Sequence, residues 1–252
     1  MLSIMLIANT GLFIQCGNKT ILLDGLEDAQ KYPFSSTPEN VLKEMFQNKG
    51  DGRLKNIDYL VFTHNHPDHF SKELIKKYML KNQVKKLIFA PDSESEDLVC
   101  DARENKVSVW KAEMSRGKIH HYILGGGIQI STLCMKHIPY IFPEDLCNCI
   151  LLQYEDKNIL FLSDCSYEEE YLFQKFKDIK LNVVFLNPYF YYSDSGRKIL
   201  DRYLLPDLTV IYHIPFEDDD TIHMRPFVFQ MVKKFKRENV CVLDTPFQSI
   251  DI

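Results

Sequence analysis

With 252 residues, 45% of them hydrophobic and 26% charged, the chain is long enough to bury a sizeable core and has the balance of an ordinary globular protein. A net charge of −5 gives no strong signal for nucleic acid. The seven cysteines are odd in number and form no compact framework, which argues against a disulfide scaffold and for reduced, partly buried thiols in a cytoplasmic protein.

The opening stretch MLSIMLIANTGLFIQCGNK is apolar but lacks a basic leader, and Asn9, Thr10 and Gly11 interrupt it. It reads as two strands joined by a turn, not as a signal peptide or membrane span, and no later segment approaches spanning length. KTILLD continues the strand run. Thr37 and Pro38 then suit a helix cap and first helical position, followed by Val41, Leu42, Met45 and Phe46 at helical spacing. DYLVFT is an apolar strand run. A helix is expected from after Ser71 to about Leu80, then strands KKLIFA and KVSVW around an acidic helix.

The second half follows a similar plan. GIQISTLCM, CNCILLQYE and KNILFLSD read as antiparallel strands, and a helix is expected from about Tyr167. NVVFLNP follows, then an aromatic loop at Tyr189 to Ser193 and a helix starting after Ser193 or Asp194. LTVIYH, a helix over 221–237 and a last strand NVCVLD complete the pattern. Strand runs precede strand–helix alternation in both halves, with no internal repeat or flexible linker. That predicts one α/β domain over 1–252, with mixed sheets between helices.

The chemistry concentrates in FTHNHPDHF, which places His64, His66, Asp68 and His69 directly after an apolar strand. Imidazole and carboxylate are ligands for zinc and related metals. At a strand end, positions i and i+2 point to one face, so His64 and His66 would act together. Pro67 turns the chain, and Asp68 and His69 then fall at the start of the next helix. A loop that is merely rich in histidine does not account for four ligand-type residues at this spacing.

The segment THNHPDHF resembles the H-x-H-x-D-H signature of the metallo-β-lactamase superfamily. That resemblance implies a four-layer αββα sandwich of two mixed β-sheets flanked by helices, with the metal site at one edge of the sheets. It also implies later ligands, supplied here by His137 after STLCMK, by Asp164 in LSDCS, and by His213 in LTVIYHIPF. Ser163 stands where the family commonly has glycine. Taken as residues alone, His137 also suits a surface loop and Asp164 a helix cap, while His213 has a rival in His223 inside a predicted helix. Asp24, ending an early strand pair, suits an orienting partner of a ligand better than a ligand.

On this resemblance, His64, His66 and His137 hold one ion, Asp68, His69 and His213 a second, and Asp164 bridges them. The implied cofactors are two divalent ions, zinc first, with manganese or iron as alternatives. A metal-bridged hydroxide would attack an electrophilic carbonyl or phosphorus, with Asp68 and Asp164 as the catalytic carboxylates. The expectation is a hydrolase of small-molecule substrates, leaning to phosphodiesters or phosphate esters over lactones and thioesters. An iron-dependent redox enzyme and a non-catalytic metal-binding protein are the readings from other classes. The loop Tyr189 to Tyr192, and Tyr140 and Phe142 after His137, suit either a pocket wall or packing. Lys76, Lys77, Lys85 and Lys86, and KKFKRE from Lys233 to Glu238, suit solvated faces or ends of helices. Nothing in the sequence sets an oligomeric state.

Overall fold

The computed structural model describes residues 1–29, 34–47, 50–90, 95–138 and 145–252. It divides into two compact units along a discontinuous chain path. The first comprises Met1–Ala112, Pro215–Thr221 and Thr245–Asp251, and the second comprises Glu113–Ile214 and Ile222–Asp244 with Ile252.

The first unit opens with an antiparallel meander of β1 (Leu2–Leu6), β2 (Leu12–Cys16) and β3 (Lys19–Leu23). Gly17 begins the two-residue turn between β2 and β3 with φ 58°, the left-handed value such a hairpin turn needs. Helices then alternate with strands: α1 (Glu39–Gln47), β4 (Tyr59–Val61), α2 (Lys72–Lys81), β5 (Lys86–Phe89), α3 (Glu96–Glu104) and β6 (Ser108–Lys111). Strands β3 to β6 are parallel neighbours. Central strands covered on both faces need unbroken apolar runs, and β4, with Tyr59, Leu60 and Val61 all buried, is such a run. The helices turn their apolar stripes onto this sheet. Val41 and Met45 of α1, Ile75 and Tyr78 of α2, and Leu98 and Ala102 of α3 share one core with Leu22, Leu60 and Leu87. The buried Tyr78 hydroxyl donates to Leu54 O at 2.8 Å and accepts from Ile57 N at 3.2 Å, so it is satisfied within that core.

The second unit repeats the plan. β7 (Ile119–Gly125), β8 (Ile128–Lys136), β9 (Leu146–Tyr154) and β10 (Lys157–Phe161) form an antiparallel meander. α4 (Glu170–Phe173) precedes β11 (Val183–Leu186). α5 (Pro188–Tyr192) and α6 (Asp194–Ile199) follow, and a wider helical turn over Leu200–Leu204 leads into β12 (Leu208–Ile211). α7 (Met224–Phe235) and β13 (Val240–Val242) complete it, with β10 to β13 parallel. The chain then returns to the first unit, where β14 (Ser249–Asp251) pairs antiparallel with β1. Among the described residues each sheet thus has seven strands, in the orders β14-β1-β2-β3-β4-β5-β6 and β13-β12-β11-β10-β9-β8-β7. Both are mixed and flanked by helices, the α/β class expected.

Several local expectations change. Thr37 does not cap α1, which starts at Glu39; its hydroxyl donates to Glu27 O at 3.1 Å, a tertiary bond that takes the group away from the helix end. The helix expected from Tyr167 is only Glu170–Phe173 and a tighter turn beyond it. The aromatic run expected as a loop is α5, capped by Asn187, whose Oδ1 accepts from Phe190 N at 2.9 Å. Phe190 and Tyr191 are buried, Phe190 packing edge-on to Phe173 and Tyr191 to Phe235, whereas Tyr189 and Tyr192 are exposed. The span 221–237 narrows to Met224–Phe235, and His223 lies outside the helix with φ 56°. β14 was not expected. Tyr140 and Phe142 lie outside the described residues. Among the described residues no helix is long and apolar enough to cross a membrane.

Candidate metal centre

In the first unit, β4 delivers the chain into the segment that carries four of the expected ligands. Thr63 and His69 are fully buried, and His64 and Asp68 are nearly so. The strand alternation continues through the segment. Asn65 turns away and donates to Ala90 O at 2.9 Å, while the rings of His64 and His66 lie 4.5 Å apart on the other side. The backbone then folds into a turn, with His69 N and Phe70 N both donating to His66 O at 2.9 Å. This brings the His69 ring to 4.1 Å from that of His64 and Nε2 of His69 to 3.9 Å from Oδ2 of Asp68. Asp68 and His69 therefore belong to a turn ahead of α2, which is capped by Ser71, and not to the helix start.

Neighbouring strand ends hold this turn. Thr10 donates from its hydroxyl to Asp68 O at 2.6 Å, Asp28 N donates to Pro67 O, and Ser71 N donates to Leu26 O. Asp24, fully buried at the end of β3, orients the imidazoles. Its Oδ1 accepts from Thr63 N at 2.8 Å. Its Oδ2 accepts from the Thr63 hydroxyl at 2.7 Å and lies 2.9 Å from Nδ1 of His69. Beside a carboxylate, Nδ1 of His69 carries the proton, leaving the Nε2 lone pair forward. The Thr63 hydroxyl already donates its hydrogen bond to Asp24, so at 3.0 Å from Nδ1 of His64 its oxygen accepts, and His64 takes the same tautomer. Asp24 thus contacts His69 as an orienting partner would, and Thr63 relays that contact to His64. Glu27, also fully buried nearby, has its carboxyl pushed well above the usual range, first by burial and then by the charge of Asp68.

In the second unit, the expected ligands sit at the ends of strands that run the same way. His137 follows β8, Asp164 follows β10 and His213 follows β12, all buried. The end of β8 is tied down from two sides: Lys136 N donates to Oε2 of the buried Glu169 at 2.7 Å, and Ile138 N donates to Asp164 O at 2.9 Å. Oδ2 of Asp164 lies 3.3 Å from Nε2 of His137 and 3.4 Å from Nε2 of His213. His213, not His223, meets Asp164. Two residues adopt left-handed backbone here without being glycine, Ser163 with φ 49° and His213 with φ 62°, as does Asp24 in the first unit with φ 50°. Such strain clusters where a side chain has to be aimed. In LSDCS the turn takes the conformation that glycine adopts most easily, and serine bears the strain.

The residues fit a metal. Nδ1 of His137 lies 3.1 Å from Ile138 O, and a carbonyl can only accept, so this nitrogen is protonated and the Nε2 lone pair points at Asp164 Oδ2. Two lone pairs facing at that distance repel unless a proton or a metal ion lies between them. Histidine ligands to metals characteristically donate their second N–H to a carboxylate or carbonyl, and His69 and His137 both do so. The sequence missed Thr63 and Asn187, whose amide donates to Oδ1 of Asp164 at 3.2 Å. Only the NP step hinted at a helix cap there.

No family model matches the sequence, and no curated protein matches it. Solved structures do. The isothiocyanate hydrolase from Delia radicum gut bacteria is similar over 99% of both chains, at TM-score 0.67 and 13% identity. Zinc-bound PqqB from Methylobacterium extorquens matches 96% of this chain and 87% of its own, at TM-score 0.62 and 10% identity. CmlA, a diiron β-hydroxylase from Streptomyces venezuelae, matches the whole of this chain at TM-score 0.65 and 13% identity, and this chain spans 54% of its length. The solved structures that share this architecture thus include metal-dependent enzymes. With two mixed seven-stranded sheets flanked by helices and histidines and aspartates gathered at strand ends, the chain has the metallo-β-lactamase fold.

Proposed function

We propose that the chain acts as one domain and is a metal-dependent hydrolase that holds two divalent ions on seven side chains. His64, His66 and His137 would hold one ion, and Asp68, His69, Asp164 and His213 the other, with Asp164 shared between the two. Zinc is the metal favoured by this donor set, and manganese and iron suit the same ligands. Bound there, the ions would lower the pKa of a shared water toward neutrality and polarise a substrate oxygen.

The protein's own residues do the rest. Asp24 and Thr63 keep the Nε2 lone pairs of His69 and His64 forward. The Ile138 carbonyl does the same for His137. Asp68 and Asp164 would serve as the catalytic carboxylates by holding the ions that act on the substrate. The observation that carries the reading is the orientation of three of the imidazoles, His64, His69 and His137, whose Nδ1 atoms are engaged and whose Nε2 atoms are left for a ligand bond. Small phosphodiesters or phosphate esters are the favoured substrates, with lactones and thioesters next.

The likeness to a diiron β-hydroxylase supports a second reading, redox chemistry on iron. The test is hydrolysis of bis(p-nitrophenyl) phosphate by zinc- and manganese-loaded protein, with Asp164→Ala as control. Turnover that disappears in the variant is expected. Turnover that survives in Asp164→Ala refutes the shared-aspartate mechanism. Bound metal without hydrolysis of phosphodiesters, lactones or thioesters moves the reading to iron.

A further inference from the structure

We propose that Asn187 is a positioning residue that restricts Asp164 to metal binding through a single oxygen, Oδ2. The inference rests on the two-ion reading and deepens it. A carboxylate can chelate one ion with both oxygens, bridge two ions with one oxygen each, or bridge through one oxygen alone. These modes hold a pair of ions at different separations, so something must choose among them.

Asn187 follows β11, which lies in the sheet between β10, bearing Asp164, and β12, bearing His213. Its side chain is 1% exposed. The amide nitrogen donates to Ser163 O at 2.8 Å and to Asp164 Oδ1 at 3.2 Å, and the amide oxygen accepts from Phe190 N at 2.9 Å. Both N–H groups and the oxygen are therefore engaged. Rotating the amide by half a turn would set its oxygen against two acceptors and its nitrogen against a backbone N–H, so the orientation is fixed. A donor on Oδ1 draws that oxygen away from a cation and leaves Oδ2 as the better ligand. It is Oδ2 that lies 3.3 Å and 3.4 Å from the two histidine nitrogens. The bond to Ser163 O also holds the left-handed turn that aims Asp164. Pro188, the first residue of α5, sets the backbone on the other side of Asn187.

The variant that isolates this role is Asn187→Ser. Serine caps a helix as well as asparagine, so α5 is kept, but its hydroxyl is too short to reach Asp164 as the amide does. Asn187→Asp is the second variant; it keeps the cap and replaces both donors by acceptors. Metal-free wild type and variants are titrated with Mn2+ by calorimetry, and the loaded forms are compared by electron paramagnetic resonance. The thermal midpoint of each metal-free form reports folding separately. Wild type is expected to bind two ions as a spin-coupled pair. The variants are expected to bind 10–100-fold more weakly, as for other partners of ligands, with the coupling altered. Affinity within threefold of wild type and an unchanged coupled signal overturn the role of Asn187 while the two-ion reading stands, whatever the thermal midpoints do. Wild type that binds no Mn2+ and no Zn2+ overturns both.

Discussion

Replacing Asp24 by asparagine tests the tautomer argument with little change of shape. Asparagine tolerates the left-handed backbone at this position (φ 50°) as aspartate does, so the substitution removes charge without adding strain. The buried carboxylate receives three bonds, from Thr63 N, the Thr63 hydroxyl and His69 Nδ1. The amide oxygen can keep Thr63 N, but the NH2 then faces the hydroxyl and the ring. Thr63 can turn its proton away. His69 can accept from the amide only by moving its own proton to Nε2, where a ligand lone pair is needed. Binding a metal must reverse that move and leave donor against donor, an unsatisfied buried contact of about 1–3 kcal/mol. At about 1.4 kcal/mol per tenfold, Zn2+ affinity should fall by roughly 5- to 150-fold. Chelator-competition titration measures the affinity, and nitrogen-15 imidazole spectra of the metal-free protein report the His69 tautomer. Affinity within threefold of wild type, or an unchanged tautomer, refutes the reasoning.

Two further predictions concern the fold. A methyl at Gly196 would overlap the backbone carbonyl of Phe190 where α6 leaves α5, so Gly196→Ala should destabilise by about 1–3 kcal/mol in urea unfolding, and a loss below about 0.5 kcal/mol contradicts the packing. Glu27→Gln addresses pH in the metal-free protein. Burial raises the carboxyl's folded pKa, so its contribution to stability is present below the unfolded value near 4.3 and is lost as pH rises through the raised value. The variant cannot ionise, so its stability relative to wild type should grow with pH above about 4.5, by at most roughly 1.4 kcal/mol per unit. A flat difference across pH 4.5–8 rules this out.

Three of the proposed ligand positions could be placed at strand ends because an apolar run precedes them: DYLVF before His64, NILFL before Asp164 and LTVIY before His213. Such runs announce buried strands, and chemistry in parallel sheets collects at their carboxyl ends. The elements that escaped were short or decided by tertiary contacts. α5 has five residues and holds four aromatics, too little for periodicity to register. β14 has a single apolar residue, Ile250, and exists because β1 offers it an edge. Thr37 sits in a cap sequence but bonds to Glu27. Thr63 and Asn187 carry no pattern at all, since their value lies in what folding sets 2.7 to 3.2 Å away.

The discontinuous path of the units also bears on how the protein is made. Residues 1–112 carry six of the first sheet's seven strands, but the outer side of β1 stays bare until 245–251 have been synthesised. Throughout that interval β1, a run of Leu2, Ile4, Met5 and Leu6 with one polar residue, presents an open strand edge to any neighbouring nascent chain. A fragment cut at residue 112 would keep that edge permanently. The two units are therefore not cassettes that recombination could exchange at residue 112, and expression of the first half alone should yield aggregates where the whole chain folds.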